Sequence, residues 1–160
     1  MEGEIVNRVS QSKLVTLDLE ELYPEGKRFH IDISQWLEGG FILREKDFRE
    51  ALNAQDWELY RDAYVSIDCS TDAIVPVWAY MLLGSYLEEL ARRVVVGPPE
   101  FLETVLFQQS LGELDLEPYR DKPVVIKGCS NLPVPVSAYV WALQRVQQAA
   151  RSVMYGEACS

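Results

Sequence analysis

The sequence predicts an α/β fold with a mainly parallel sheet, helices on both faces and an internal duplication of about 59 residues. Short apolar segments rich in Val and Ile alternate with helical segments of roughly 10–20 residues, a pattern typical of parallel sheets connected by helices. Similar segments recur at a constant separation in the two halves of the chain. The length of 160 residues fits one domain, which we expect to span 1–160.

The predicted elements follow one another in a regular order from strand to helix. An N-terminal segment, "KLVTLDLEELYPEG", precedes them and forms either another strand or a segment that lies across the sheet. Two of the helices begin close to a proline, whose missing N–H is harmless in a first turn. The predicted strands are "RFHIDI", "AYVSID", "RVVVG", "PVVIKG" and "SVMYG", and the predicted helices are "LREKDFREAL", "VPVWAYMLLGSYLEELARR", "EFLETVLFQQSL" and "PVPVSAYVWALQRVQQAAR".

The duplication is inferred from a register of 59 positions. The triplet Tyr-Arg-Asp at 60–62 recurs at 119–121, and Pro76 recurs as Pro135. Because a polar triplet and a proline rarely match together by chance, we interpret the two halves as pseudo-repeats within one domain. The predicted boundaries are an N-terminal extension 1–28, a first pseudo-repeat 41–99 and a second pseudo-repeat 100–159.

Charge and composition argue against several classes of function. The chain carries 15 basic and 25 acidic residues, a net charge of −10, which disfavours binding to nucleic acid and to anionic membranes. No apolar run approaches the roughly 20 residues that a membrane helix needs, and the acidic start "MEGEIVNRV" lacks the pattern of a signal peptide. We therefore expect a cytoplasmic protein without nucleic-acid or membrane partners, and a homo-oligomer stays open.

The three cysteines are the residues to which the sequence points for function. Cys69 and Cys129 each follow a predicted strand and precede a serine, Ser70 or Ser130, and then a helix start. Because the carboxyl ends of parallel strands meet at one edge of a sheet, we expect these thiols to lie on that edge together with Cys159, which follows the last strand. Neighbouring strands are about 4.8 Å apart, close enough for one metal ion to bind two sulfur atoms.

The predicted metal site needs a further ligand and outer hydrogen bonds. Glu157, two residues before Cys159, is the nearest acidic candidate for the fourth ligand. Ser70 and Ser130 would donate hydrogen bonds to the bound sulfur. The site would hold an iron–sulfur cluster, iron or zinc. A coordination position left open to a client would suit transfer more than a structural role.

Two other functions stay open. In the first, the protein is a thiol redox protein or enzyme, in which Cys69 or Cys129 is a nucleophile of lowered pKa and Cys159 resolves it. In the second, it is a non-catalytic interaction module whose cysteines belong to the core. His30, the only histidine, falls near the start of a predicted strand and so at the opposite edge from the cysteines, which leaves Ser-His or Cys-His catalysis without its base.

Several segments resemble those of an uncharacterised bacterial family, domain of unknown function twenty-four eighty. The matching segments are "EIVNRV", "LREKDFRE", "WAYMLLGSYL", "ETVLF", "VVIKGC", "LPVP" and "YGEACS", and the resemblance covers nearly the whole chain. The resemblance implies genes located near those for iron–sulfur cluster assembly, and hence iron–sulfur assembly proteins as partners, but it gives no residue a role. Together with the three cysteines, it leads us to expect an accessory factor in iron–sulfur cluster or metal handling.

Overall fold

The structure is a computed structural model that describes residues 13–128 and 131–156. The described chain divides into two compact units. We call residues 25–102 the central unit, and the described residues before and after it the terminal unit. The terminal unit is discontinuous in sequence, because the central unit is inserted between the first strand of the terminal unit and its remaining elements.

Strands and helices alternate along the described residues as the sequence predicted. The α/β class and the parallel direction of the paired strands are confirmed. In chain order, the described strands and α-helices are β1 (Val15–Asp18), β2 (Arg28–Asp32), α1 (Glu45–Ala54), β3 (Tyr64–Asp68), α2 (Val77–Leu87), β4 (Arg93–Val96), α3 (Pro99–Gly112), β5 (Pro123–Lys127), α4 (Val136–Gln147) and β6 (Ser152–Tyr155).

The described strands form two sheets of three strands each, where the sequence predicted one mainly parallel sheet. The central unit has the strand order β2-β3-β4, and the terminal unit has the order β1-β5-β6. The N-terminal segment of ambiguous prediction forms strand β1, which pairs with β5 from Val15↔Val124 to Asp18↔Lys127. Each middle strand takes one partner from upstream in the sequence and the other from beyond the following helix, so each unit completes a sheet of its own.

The core of the central unit joins its middle strand to its two helices. Val65 and Ile67, alternate residues of β3, are fully buried in one cluster with residues of α1 and α2. Phe48 and Leu52 of α1 are four positions apart and therefore lie on one helix face. Burial of each such side chain contributes roughly 1.5–3 kcal/mol. At the same four-residue spacing, α2 contributes Ala79, Leu83 and Leu87.

The terminal unit has the same layout with other side chains. Arg145 of α4 donates Nε to the carbonyl of Leu111 (2.9 Å) and Nη2 to the carbonyl of Leu114 (2.7 Å). These carbonyls lie at the end of α3, where helical partners are missing, so Arg145 caps that helix. The buried cluster of this unit comprises Leu17, Leu19, Phe107, Leu111, Val124, Ile126, Ala138, Ala142 and Val146.

The two units repeat several details, which supports the proposal of an internal duplication. Asp62 and Asp121, the last residues of the repeated triplets, both have a φ of 58°. Asp18 and Asp32 each end a strand and accept a backbone N–H two residues later at 3.0 Å. The match between Asp18 and Asp32 does not follow the register of 59 positions, because these two residues are only 14 positions apart. The boundaries of the pseudo-repeats and the single domain stay predictions.

Asp62 offers a test of the repeated turn. A left-handed backbone costs a residue with a Cβ about 1–2 kcal/mol, whereas glycine adopts it freely. We expect Asp62→Val to lower the free energy of unfolding by about 1–2 kcal/mol and Asp62→Gly to change it by less than about 0.5 kcal/mol. Urea unfolding measures both variants, and the same pair at Asp121 should behave alike. Equal stability of Asp62→Val and Asp62→Gly would contradict this account.

Candidate functional site

The carboxyl edge of the central sheet carries a hydrogen-bonded polar cluster. Cys69 directly follows β3, the middle strand, and its half-buried side chain packs against the central core. It is a free thiol among the described residues. Asp32, which ends β2, lies opposite Asp68 in the strand register. Cys69 therefore lies at the sheet edge where the sequence places it, beside polar residues of a neighbouring strand.

Asp32 organises this edge. Its Oδ1 accepts the backbone N–H of Ser34 (3.0 Å) and that of Ser70 (3.1 Å), and the hydroxyl oxygens of the two serines are 3.2 Å apart. Burial opposes ionisation of Asp32, but the hydrogen bonds from Ser70 and Ser34 outweigh it and lower the pKa of Asp32 to about 2. The carboxylate thus fastens the turn after β3 to the end of β2.

Thr71 links the Cys69 side chain to the loop that follows β2. The Thr71 hydroxyl donates to the carbonyl of Gly40 (2.5 Å), and its oxygen lies 3.3 Å from Sγ of Cys69. A hydroxyl has one proton, and here Gly40 receives it, so the sulfur supplies the proton of its own contact with Thr71. The contact of Cys69 with Thr71 therefore ties its side chain to the loop that carries Gly40.

His30 lies near this same edge, and its predicted location at the opposite edge is wrong. Its Nδ1 is 2.9 Å from Oγ of Ser66, and its Nε2 is 2.8 Å from Oδ1 of Asp68, the residue before Cys69. The second contact is short but poorly aligned, since this buried Oδ1 accepts no hydrogen bond from the described residues. Because β2 has only five residues, a side chain in its middle reaches the carboxyl end of β3.

The neighbours of His30, Ser66 and Asp68, have the residue types of a hydrolytic triad, but the burial of Ser66 argues against that chemistry. Ser66 is 0% exposed in the middle of β3, so a substrate cannot reach its hydroxyl. Tyr80 of α2 lies near Cys69 and Asp68. Burial, followed by the proximity of Cys69 and Asp68, raises the pKa of Tyr80, which therefore remains a protonated hydroxyl at neutral pH. The contacts of His30 with Ser66 and Asp68 join β2 to β3.

Four predicted site residues lie outside the described residues: Cys129, Ser130, Glu157 and Cys159. The strands that precede them, β5 and β6, are neighbours in the terminal sheet. The strand that precedes Cys69 belongs to the other sheet, so the expectation that Cys69 and Cys129 lie at the edge of one sheet is wrong. Within the described part of the chain, no three His, Cys, Asp or Glu side chains come together as metal ligands would.

Gly128 lies at the position where the repeat predicts the second cysteine. In the register of 59 positions, Gly128 corresponds to Cys69. The hydroxyl of Tyr139 lies where a side chain at position 128 would begin, so a larger residue there would require the Tyr139 side chain to move. Cys129 follows that glycine. The edge of the terminal sheet is therefore not a copy of the edge that carries Cys69.

Sequence reasoning missed Asp32 and Thr71. A signal for Asp32 was present in the repeated pattern of an Asp between apolar residues, Leu-Asp-Leu at 17–19 and Ile-Asp-Ile at 31–33. An Asp at the end of a strand commonly accepts a backbone N–H two residues later. Thr71 had no comparable signal, because its partner Gly40 is 31 positions away in the sequence.

These observations define a parallel α/β protein with a polar cluster and a reduced cysteine at the carboxyl edge of a sheet. The chain belongs to the family described as "Protein of unknown function (DUF2480)", which matches residues 3–160, and this confirms the resemblance seen in the sequence. Neither the curated proteins nor the solved structures contain a match. None of the helices in the described ranges has both the length and the apolar character needed to cross a membrane.

Asp32→Asn tests the role of the carboxylate at this edge. Asparagine keeps the shape and an acceptor oxygen but removes the charge, so we expect the free energy of unfolding at pH 7 to fall by about 1–2 kcal/mol after solvent screening. The folded-state pKa of about 2 is below the ordinary 3.8. The contribution is therefore complete above about pH 4 and is lost as the pH falls toward 2. In urea unfolding, the free energy of unfolding of Asp32→Asn should approach that of the wild type as the pH falls toward 2.

Asp72→Asn is the matched control for this measurement. Asp72 is an exposed acid in the same loop as Ser70. Its substitution should change the free energy of unfolding by less than about 0.5 kcal/mol at every pH. If Asp32→Asn were no more destabilising than Asp72→Asn, or if its effect did not depend on pH, the role assigned to Asp32 would be wrong.

Proposed function

We propose that the protein is a cytoplasmic accessory factor in iron–sulfur cluster or metal handling. It would bind an iron–sulfur cluster, iron or zinc beyond the carboxyl edge of the terminal sheet. The observation that supports this most directly is the parallel pairing of β5 with β6. The first of these strands leads within two residues to Cys129, and the second leads to Glu157 and Cys159. This edge of a parallel sheet is where ligands usually bind.

The types of the proposed ligands suit such a cargo. Thiolates favour zinc and iron–sulfur clusters over hard cations, and a carboxylate adds an oxygen ligand. Strands about 4.8 Å apart allow two sulfur atoms to share a metal at Zn–S distances of about 2.3 Å. Three protein ligands, Cys129, Cys159 and Glu157, leave one position to a client, and Ser130 would donate a hydrogen bond to bound sulfur. The proposed clients are iron–sulfur assembly proteins.

Cys69 fits this role less well than the other two cysteines. Its sulfur lies 3.3 Å from the Thr71 hydroxyl oxygen, and its strand belongs to the central sheet. We therefore assign the main ligand roles to Cys129 and Cys159, and to Cys69 the role of packing the turn after β3.

Metal analysis of anaerobically purified protein tests the proposal. We expect the wild type to contain iron or zinc, with visible absorbance if a cluster is present. Cys129→Ser and Cys159→Ser should each reduce the metal content to background, because serine replaces a thiolate by a weakly acidic hydroxyl that rarely binds these metals. Elemental analysis and absorbance spectroscopy measure these outcomes on the same preparations.

Cys69→Ser is the matched control, since it makes the same atomic exchange in the central unit. It should keep the metal content of the wild type. Thermal unfolding of all variants separates loss of metal from loss of fold. A wild type without metal, even after reconstitution with iron and sulfide or with zinc, would refute metal handling. An equal loss in Cys69→Ser would show that Cys69 is a ligand and that our assignment of its role is wrong.

A further inference from the structure

A groove of about 550 Å³ lies beside the polar cluster of the central unit. Its walls come from the loops that follow β2 and β3. Three wall side chains are large, apolar and well exposed: Phe41 at 57%, Ile42 at 51% and Ile74 at 92%. Single exposed apolar residues are common on soluble proteins, but a group around one concave surface commonly marks an interaction site.

The wall that carries Phe41 and Ile42 is a tight hydrogen-bonded turn. The N–H of Glu38 donates to the carbonyl of Ile42 (2.8 Å), and the N–H of Ile42 donates back to the carbonyl of Glu38 (3.1 Å). The glycines at 39–40 have φ values of 59° and 82°, in the left-handed region that favours glycine. The second of them accepts the hydroxyl of Thr71, which ties this wall to the other loop. The backbone therefore fixes the exposure of these apolar side chains.

Trp78 connects the groove to the core. Its ring meets the ring of buried Phe48 edge-on, with the centroids 5.8 Å apart. The guanidinium of Arg49 lies 5.0 Å from the centroid of the Trp78 ring. Held between these two groups, the indole lines the groove without closing it. The groove is therefore pre-formed, which lowers the entropy cost of binding.

The charged residues that line the groove, Glu45 and Asp72, are both acidic. Glu45 lies 3.1 Å from Arg49 in a solvent-exposed pair. Arg49 offsets the charge of Glu45, so exposed Asp72 is the acidic group that would attract a cation to the groove, in a chain whose net charge is −10. We propose that this groove binds a segment of a partner protein that presents a bulky apolar side chain next to a Lys or Arg. The apolar side chain would lie between Phe41 and Ile74, with the cation at Asp72.

Other occupants fit these features less well. Nucleic acids and anionic membranes carry the same sign of charge as the lining residues. The exposure of Ile74 leaves one side of the groove open, whereas small-molecule sites enclose most of their ligand. A second copy of this chain carries the same negative net charge. The inference involves none of the cysteines, so its test does not depend on whether the protein binds a metal.

Selection of a random peptide display library on the wild-type protein, with counter-selection on Ile74→Asp, tests the proposal. Enriched peptides should carry an aromatic or branched apolar residue next to a Lys or Arg. For an enriched peptide measured by fluorescence anisotropy, Ile74→Asp should raise the Kd about tenfold or more, because it removes a central apolar contact. Asp72→Lys should raise the Kd about threefold to tenfold, with an effect that shrinks at high salt.

Val136→Asp is the matched control. Val136 is 80% exposed at the start of α4 in the terminal unit, so the same substitution should change the Kd less than about twofold. Thermal unfolding should be unchanged in all three variants. The proposal is overturned if no peptide is enriched, if enriched peptides lack the apolar–basic pattern, or if Ile74→Asp and Val136→Asp act alike. Self-association of the wild type that Ile74→Asp abolishes would identify a second copy as the occupant and overturn it as well.

Discussion

The middle strand of the central sheet can be buried only because both of its backbone edges are paired. Every residue from Tyr64 to Ile67 is buried, so the N–H and C=O groups of β3 need partners inside the protein. Strands β2 and β4 supply them, both in the parallel direction. A parallel neighbour requires a crossover, and α1 and α2 are the helices of the two crossovers. The order of elements in the central unit follows from the pairing of this one strand.

Parallel pairing also brings the polar cluster and the groove to one place. Because β2 and β3 run in the same direction, the loops after them leave the sheet side by side. Asp32 at the start of one loop holds Ser70 in the other, and Thr71 reaches back to Gly40. The same loops carry the apolar walls of the groove. The hydrogen bonds that hold Cys69 in its turn therefore also fix the shape of the proposed interaction surface.

The terminal unit has the same parallel strand layout as the central unit but a different carboxyl edge. Its sheet has the same parallel order, but Gly128 stands at the position that corresponds to Cys69, and the hydroxyl of Tyr139 occupies the space that a side chain there would need. The chain beyond β6 continues beside β5, where the N–H of Gly156 donates to the carbonyl of Ile126 (2.7 Å). The two units therefore differ at the carboxyl edges of their sheets, and the proposed metal and the proposed partner protein are assigned to different units.

The sequence by itself determined the α/β class, the alternation of strands and helices, and the position of Cys69 after a strand. These features depend on local patterns: Val- and Ile-rich segments of strand length, four-residue spacing in helices, and prolines at helix starts. The tertiary structure alone decided which strands are neighbours, because strand pairing uses backbone groups that every sequence shares, and the choice depends on which side chains are buried together. It alone placed His30 beside Asp68 and tied Thr71 to Gly40, since these contacts join residues distant in sequence.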